Sequence, residues 1–472
     1  MPAIHLKETI FSLSTGSLPT GVAVVRISGS ATADVVQAMC KGKRPEPRRA
    51  TLRVLRDPAS DDILDRALVL WFPGPASATG EDCAEFHLHG SRAVVKDVLA
   101  ALANIDGCRP AEAGEFTQRA YLTGRLDLTA VEGLSDLIAA QTSAQRRQAL
   151  RQSDGALSEL YEGWRSQLLR ARAAIEAELD FADEEDIPGS VSDRVWSEMT
   201  ELRDRIHSHL TDDQRGERLR TGVDIVIAGA PNAGKSSLLN ALADEDVAIV
   251  TDEAGTTRDL IEVRLDLRGY PATLVDTAGL RETDQRIERE GVRRARARLK
   301  SADLILWLVS VEETPSALTE LYTELWGHND ATVNVPNLPP VWLIRSKSDL
   351  LSSGAHMCHD EEVMDGLSKI ERIIALSSQT GMGLTDFVDA LGNKVAELCG
   401  TGEEPVISRT RHRDALKHCE RFISDALTAA EDPLEMRAES LRLASDELAR
   451  ITGRIDVEDI LGAIFSEFCV GK

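Results

Sequence analysis

The sequence has no apolar run approaching the ~18 residues of a membrane span. It has no C-x-x-C pair among its seven cysteines and no surplus of basic charge. Each absence excludes a class. Without a long apolar run the chain is not expected to cross a membrane. Scattered cysteines argue against a disulfide framework or a zinc cluster and for reduced thiols in the cytoplasm. A net charge of −24 disfavours a surface that binds nucleic acid broadly. Any RNA contact must then be confined to a local basic patch or supplied by a partner. Met1 to Ile10 has neither a basic start nor a long apolar segment, so secretion is not expected. No tandem repeat or low-complexity tract is visible.

What is present is a globular composition, 42% hydrophobic and 28% charged. At 472 residues, roughly three domains of about 150 residues are expected. Up to about residue 120 the pattern is α+β. Strands are expected at Thr20–Gly29, Ala67–Phe72 and Glu85–Gly90, with a helix through Val94, Val98 and Leu102. His87 and His89 share one strand face, where hydrogen-bonded histidines are a simpler reading than a metal pair. From about Leu128 to Asp183, apolar residues recur at helical spacing (Leu157, Leu160, Trp164, Leu168, Ile175, Leu179). Ser153-Asp154-Gly155 breaks that pattern. One further helix is expected from about Ser192 to Arg220. Strands and helices then alternate to about 396, the signature of a doubly wound α/β domain. Helices return over Arg411–Ala429, Leu434–Ile451 and Val457–Phe468. Val335 to Pro340 is the clearest internal linker. The expected organisation is an N-terminal domain over 1–122, a helical domain split into 123–221 and 397–472, and an α/β domain over 222–396 inserted between its halves.

The insert opens with the strand-like run Val223 to Ala228, then Gly229-Ala230-Pro231-Asn232-Ala233-Gly234-Lys235-Ser236, then a helical start at Ser237. This is G-x-x-x-x-G-K-[ST] in its strand–turn–helix context. A Gly-rich turn matching by chance would lack those flanks. The loop amides and the helix N-terminus favour phosphate, Lys235 reaches the outer phosphates, and Ser236 is the expected Mg²⁺ ligand. A second strand ends Asp276-Thr277-Ala278-Gly279, placing a carboxylate near Mg²⁺ and a backbone N–H near the γ-phosphate. Gly255-Thr256-Thr257 between them suits a loop ordered by that phosphate. After the strand 341–344 comes Arg345-Ser346-Lys347-Ser348-Asp349. Asp349 is placed to accept from guanine N1–H and the 2-amino group, and Ser377-Ser378-Gln379 to close over the base. These elements in this order indicate a GTPase. The guanine motif departs from N-K-x-D at Ser346, which loses an amide contact; restoring Asn there is expected to tighten binding. Leu280 stands where Ras-like enzymes use a water-orienting Gln. From spacing alone Glu288 reads as a solvated charge, with a water-positioning role as the alternative. Asn232 is a candidate ligand for a monovalent cation.

Motifs outside the GTPase set are more specific. They are Gly80-Glu81-Asp82, Gly114-Glu115-Phe116-Thr117-Gln118-Arg119-Ala120, Leu126-Asp127-Leu128 and the terminal Leu461 to Lys472. On these the chain resembles, essentially end to end, the MnmE (TrmE) family of tRNA-modification GTPases. Without them a regulatory or ribosome-assembly GTPase is the rival. The resemblance implies an N-terminal folate-binding and dimerising domain, a split helical domain and an inserted G domain. It implies joint action with the FAD protein MnmG, in a heterotetramer, to place an aminomethyl or carboxymethylaminomethyl group on C5 of the wobble uridine of certain tRNAs. The carbon would come from a tetrahydrofolate derivative, 5,10-methylene- or 5-formyl-. It maps folate binding onto Arg26, Glu85, Arg125 and Lys472, with Arg125 in place of the Lys of some relatives. It maps GTP contacts onto Thr251, Asp252, Glu253, Ala254, Gly255, Thr256 and Thr257, and Mg²⁺ onto Ser236 and Thr257. K⁺ falls to Asn232, Thr251, Glu253 and Thr256. It makes Glu288 the water-orienting residue, which overrides the reading from spacing, and makes Cys469 a candidate catalytic thiol.

Overall fold

The computed structural model describes residues 8–180, 191–212, 214–243, 245, 247–249, 262–276, 297–312, 339–350, 370–400, 405–428, 432–455, 461–462, 464–465, 468 and 471. The chain forms two compact units. The first comprises Met1–Ile138, Leu150–His207 and Asp414–Lys472; the second comprises Ala139–Ala149 and Ser208–Arg413.

The first unit begins with β1 (Thr9–Leu13), β2 (Thr20–Ser28), α1 (Thr32–Cys40), β3 (Thr51–Arg56), β4 (Ile63–Phe72), β5 (Cys83–Gly90), α2 (Arg92–Ala103) and β6 (Cys108–Pro110). The strands form one sheet in the order β3-β4-β5-β2-β1-β6, antiparallel except for the β1–β6 pair. Alternation decides its faces. Val25, Ile27, Phe86 and Leu88 point to a core shared with Val35, Val36 and Met39 of α1 and Val95, Val98 and Leu102 of α2. Leu52 pairs with Leu68, and both side chains are exposed. Arg26 pairs with Glu85 in the β2–β5 ladder.

Helices α3 (Glu115–Leu122), α4 (Leu128–Ala139), α5 (Ser143–Ser153), α6 (Ala156–Asp180) and α7 (Val191–Leu210) follow. The break between α5 and α6 falls at the expected Ser153-Asp154-Gly155, where Gly155 takes φ +95°. The periodic residues Leu157, Trp164, Leu168 and Ile175 are buried on α6, as is Tyr161. The expected single helix over 192–220 is corrected to two, α7 and α8 (Arg215–Thr221). Gln214 ahead of α8 adopts φ +56°, a left-handed conformation that no continuous α-helix accommodates.

The second unit carries β7 (Val223–Gly229), α9 (Lys235–Ala243), β8 (Glu262–Leu267), β9 (Tyr270–Asp276), β10 (Leu304–Ser310), β11 (Val341–Ser346), β12 (Ile370–Ala375) and α10 (Leu384–Cys399). Its sheet order is β12-β11-β10-β7-β9-β8, parallel except for the β8–β9 hairpin. Strand β10 is buried along its whole length, which explains its unbroken apolar run. The unit is wider than the 222–396 alternation suggests. Ala144 N–H donates to the Gly269 carbonyl (2.9 Å) and Gln145 Nε2 to the Arg220 carbonyl (3.0 Å). Helices α11 (Thr410–Thr428) and α12 (Leu434–Thr452) follow; in the first unit α12 buries Leu441, Leu448 and Ile451 and packs along α6.

Candidate functional site

Strand β7 lies between β10 and β9, so the loop after it leaves the sheet where the strand order reverses. Open α/β sheets bind ligands at that point. The loop's shape is a backbone property. Gly229 lies against β10 so closely that a Cβ there would sit 2.3 Å from the Leu308 carbonyl oxygen. Asn232 and Gly234 adopt φ +65° and +94°, conformations open to Gly and tolerated by Asn. Lys235 is buried at the start of α9, and its ammonium donates to the carbonyls of Gly229 (3.0 Å) and Ala230 (2.8 Å). The cation is thereby held over the loop. Asn232, Ser236 and Ser237 are exposed beside it, while Ala233 is buried. Asp276, buried at the end of β9, pairs in register with Ile227 of β7 and so lies alongside the loop.

The base loop leaves β11 on the same sheet edge. Ser346 is only 3% exposed, and its hydroxyl donates to the Ala233 carbonyl at 2.6 Å. Its bond therefore goes to the phosphate loop, a destination that the motif alone does not suggest. Lys347 takes φ +58°, and a 3-10 turn at Ser348–Leu350 presents Asp349 to solvent. Ser348 N–H donates to the Leu376 carbonyl, tying this loop to the next one (3.2 Å). Buried Ser377 accepts at its hydroxyl from Thr380 N–H (3.2 Å), which shapes the turn carrying Ser378 and Gln379. Thr251, Asp252, Glu253, Ala254, Gly255, Thr256, Thr257, Thr277, Ala278, Gly279, Leu280, Glu288, Cys469 and Lys472 lie outside the described residues.

Two of the N-terminal motifs, Gly80-Glu81-Asp82 and Gly114 to Ala120, converge on one ion network centred on buried Arg119 and Glu115. Arg119, fully buried, donates to Glu81 Oε2 (3.0 Å), Glu115 Oε1 (2.9 Å) and the Glu8 carbonyl (2.9 Å). Arg109 forks onto both oxygens of Glu115 (2.6 and 2.8 Å). Burial works against the Glu115 carboxylate, but hydrogen bonds from Arg109, the Glu112 amide and Arg119 outweigh it and hold its pKa below the ordinary value. Asp127 caps α4 by accepting from Ala130 N–H (3.0 Å). The GED, GEFTQR and LDL motifs are thus the parts of a framework, a role their spacing alone does not reveal.

Of the expected folate residues, Arg26 and Glu85 are joined directly (3.0 Å), and the Arg26 guanidinium lies 5.8 Å from the Phe116 ring centroid. Arg125 is exposed, with its stem passing Gly80. The chain's end reaches the same sheet. Ser14 donates to the Gly471 carbonyl (2.8 Å), and Gly471 abuts Leu13 and Ser12, the latter paired with Arg26. Phe465 packs on Gly114 and Tyr121. His87 and His89 contact Glu85 (3.5 Å) and Asp65 (2.7 Å).

Comparison with known proteins gives the family. The GTP-binding protein TrmE N-terminus family matches residues 9–125, and the MnmE helical domain family matches 128–469. The tRNA modification GTPase MnmE of Brucella anthropi is 49% identical over 467 residues, 99% of each chain; that of Brucella canis is 49% identical over 465 residues, 98% of each. Among solved structures, Era from Aquifex aeolicus bound to GDP and AlF4⁻ covers 42% of this chain and 66% of its own at 22% identity and a TM-score of 0.29. The motif framework of the first unit, the phosphate loop of the second and the near-complete span of the relatives agree: the chain belongs to the MnmE family of tRNA modification GTPases.

Proposed function

We propose that the chain hydrolyses GTP in a K⁺-stimulated, dimerisation-activated cycle. In this reading it acts with MnmG to add an aminomethyl or carboxymethylaminomethyl group to C5 of the wobble uridine of certain tRNAs. A tetrahydrofolate derivative supplies the carbon, and the work is done in the cytoplasm. The observation that carries the GTP part is the hydrogen bond from Ser346 to Ala233, which sets the base loop beside the phosphate loop. Asp349 is exposed on that base loop, and a carboxylate there would accept from guanine N1–H and the 2-amino group, a donor pair that adenine lacks.

The donor set suits the ions. The Ser236 hydroxyl at the head of α9 is a hard oxygen ligand of the kind Mg²⁺ takes, with Thr257 as a further ligand and the Asp276 carboxylate, in register with Ile227 of β7, holding the ion through water. The exposed Asn232 side chain, with Thr251, Glu253 and Thr256, would hold K⁺ and supply positive charge where an arginine finger otherwise acts. Glu288 orients the water in place of the absent Gln at Leu280. Arg26, Glu85, Arg125 and Lys472 hold the folate; the arrival of Gly471 at the strand beside Arg26 supports that grouping. The exposed Leu52 and Leu68, paired across β3 and β4, favour association with a second copy. Cys469 stays a candidate thiol in the same tail.

Nucleoside analysis of tRNA from cells lacking the chain tests this reading. Loss of the modified wobble uridine is expected, and an unchanged profile would refute it.

A further inference from the structure

Residues 41–56 carry Lys41, Lys43, Arg44, Arg48, Arg49, Arg53 and Arg56 against one carboxylate, Glu46, in a chain of net charge −24. The stretch links α1 to β3 and runs through it, and residues 41–44 and 46–50 are exposed. Part of its charge is neutralised. Lys41 and Arg56 both meet Asp61, and Arg49 meets Glu46 at 2.9 Å.

Arg44, Arg48 and Arg53 are held differently. The Arg44 guanidinium lies over the Trp71 ring, 5.4 Å from its centroid. Arg48 donates to the Ala76 carbonyl, and Arg53 to the Lys43 carbonyl at 3.2 Å. These three tethers are neutral: they orient each guanidinium and leave its charge uncompensated. Among the described residues, no carboxylate lies within ion-pair distance of any of the three. Elsewhere arginines are commonly matched to acids, as in Arg109–Glu115, Arg119–Glu81, Arg218–Asp303 and Arg298–Asp224. Pro45 and Pro47 restrict the loop further.

A polyanion is repelled by an acidic protein except where such a patch stands, so the field directs its approach there. Oriented guanidinium forks match phosphate oxygens in geometry as well as charge. We propose that the loop from Lys43 to Arg53 is a contact surface for the phosphate backbone of RNA, with Arg44, Arg48 and Arg53 as its principal donors. The partner is tRNA, which rests on the function proposed above. The contact is sequence-independent and positions the RNA without reading its bases.

The test is fluorescence anisotropy of labelled total tRNA with the intact chain at several KCl concentrations. Combined Arg44→Ala, Arg48→Ala and Arg53→Ala is expected to weaken binding by about tenfold or more at low salt. It should also flatten the slope of log affinity against log salt by about two to three. Replacing the same three by Lys should retain most of the binding, because charge is kept. If the alanine variant does not fold, exposed Lys43→Glu should still weaken binding several-fold, with GTP turnover unchanged. Unaltered affinity and slope in the folded alanine or Lys43→Glu variant would overturn the proposal. So would wild-type binding to phosphatidylglycerol vesicles, lost with these arginines, and none to tRNA. An unchanged tRNA modification profile in cells lacking the chain would instead overturn the function on which the choice of partner rests.

Discussion

The two units build their sites by different means. In the second, the phosphate loop is shaped by backbone: Asn232 and Gly234 at positive φ, Gly229 pressed against Leu308, and Lys235 held by two loop carbonyls. In the first, strands and helices are joined by charged side chains, with Arg119 and Arg109 clamping Glu81, Glu115 and Glu8. A backbone-shaped site tolerates loss of a side chain without unfolding but loses its chemistry. A buried charge network does the reverse, since removing one member strands the others.

The largest effect expected from that difference is on stability. Arg119→Ala leaves Glu81 and Glu115 short of a buried partner and should cost about 3–5 kcal/mol of the first unit's stability. Denaturant unfolding followed by a first-unit probe measures it; a cost under about 1 kcal/mol would show that the network is not a keystone. Lys235→Ala should do the opposite. GTP turnover should fall about a hundredfold or more, equivalent to about 2.7 kcal/mol of barrier, while the unfolding midpoint scarcely moves. A large loss of stability there would erase the distinction between the units.

Ser346 is the case where the second unit does use a side chain. Ser346→Ala removes a buried donor from the Ala233 carbonyl and should weaken GDP binding about fivefold, in line with about 1 kcal/mol for such a bond. Ser346→Asn, which keeps a donor in a site only 3% exposed, is expected to bind no tighter than the native chain. This revises the gain expected from the motif alone, and titration with a fluorescent GDP analogue decides it.

The smallest effect is a pH dependence in the second unit. Burial, with the charges of His412 and Arg413, pushes His209 down from 6.5 to about 4. A depressed pKa means that the folded state resists protonation, so the contribution is present above 6.5 and is lost as pH falls toward 4. Asp224, pushed up to about 6 mainly by burial, works in the opposite sense, its contribution fading as pH rises through 6. Unfolding at pH 7.5 and 5 should show His209→Gln losing less stability on acidification than the native chain. Equal losses would remove His209 as a source.

Much of the molecule is legible in the sequence because it is local. Gly229, Gly234, Lys235 and Ser236 announce a turn whose conformations need those residue types within a few positions of each other. The β-strand alternation around Arg26 and Glu85 and the α6 periodicity likewise read directly, because each depends on a repeat of two or about three and a half residues. The break at Gln214 is marked only by the polar run Thr211 to Arg218 with Gly216 inside it, and nothing in that run says that Gln214 itself turns left-handed.

Short-range pattern is enough to specify the phosphate loop, the order of the nucleotide motifs, the alternation of strands and helices, and the family through its flanking motifs. The first three follow from backbone propensities and close spacings; the family follows from the resemblance of those motifs to known members. It takes the folded chain to show that Glu81 and Glu115 share Arg119, that Ser346 donates to Ala233, and that Gly471 lies against Ser14. A polar side chain has many chemically acceptable partners, and which one it meets is fixed by how distant segments pack. Ser14 and Gly471 are 457 positions apart, and nothing local to either one signals that meeting.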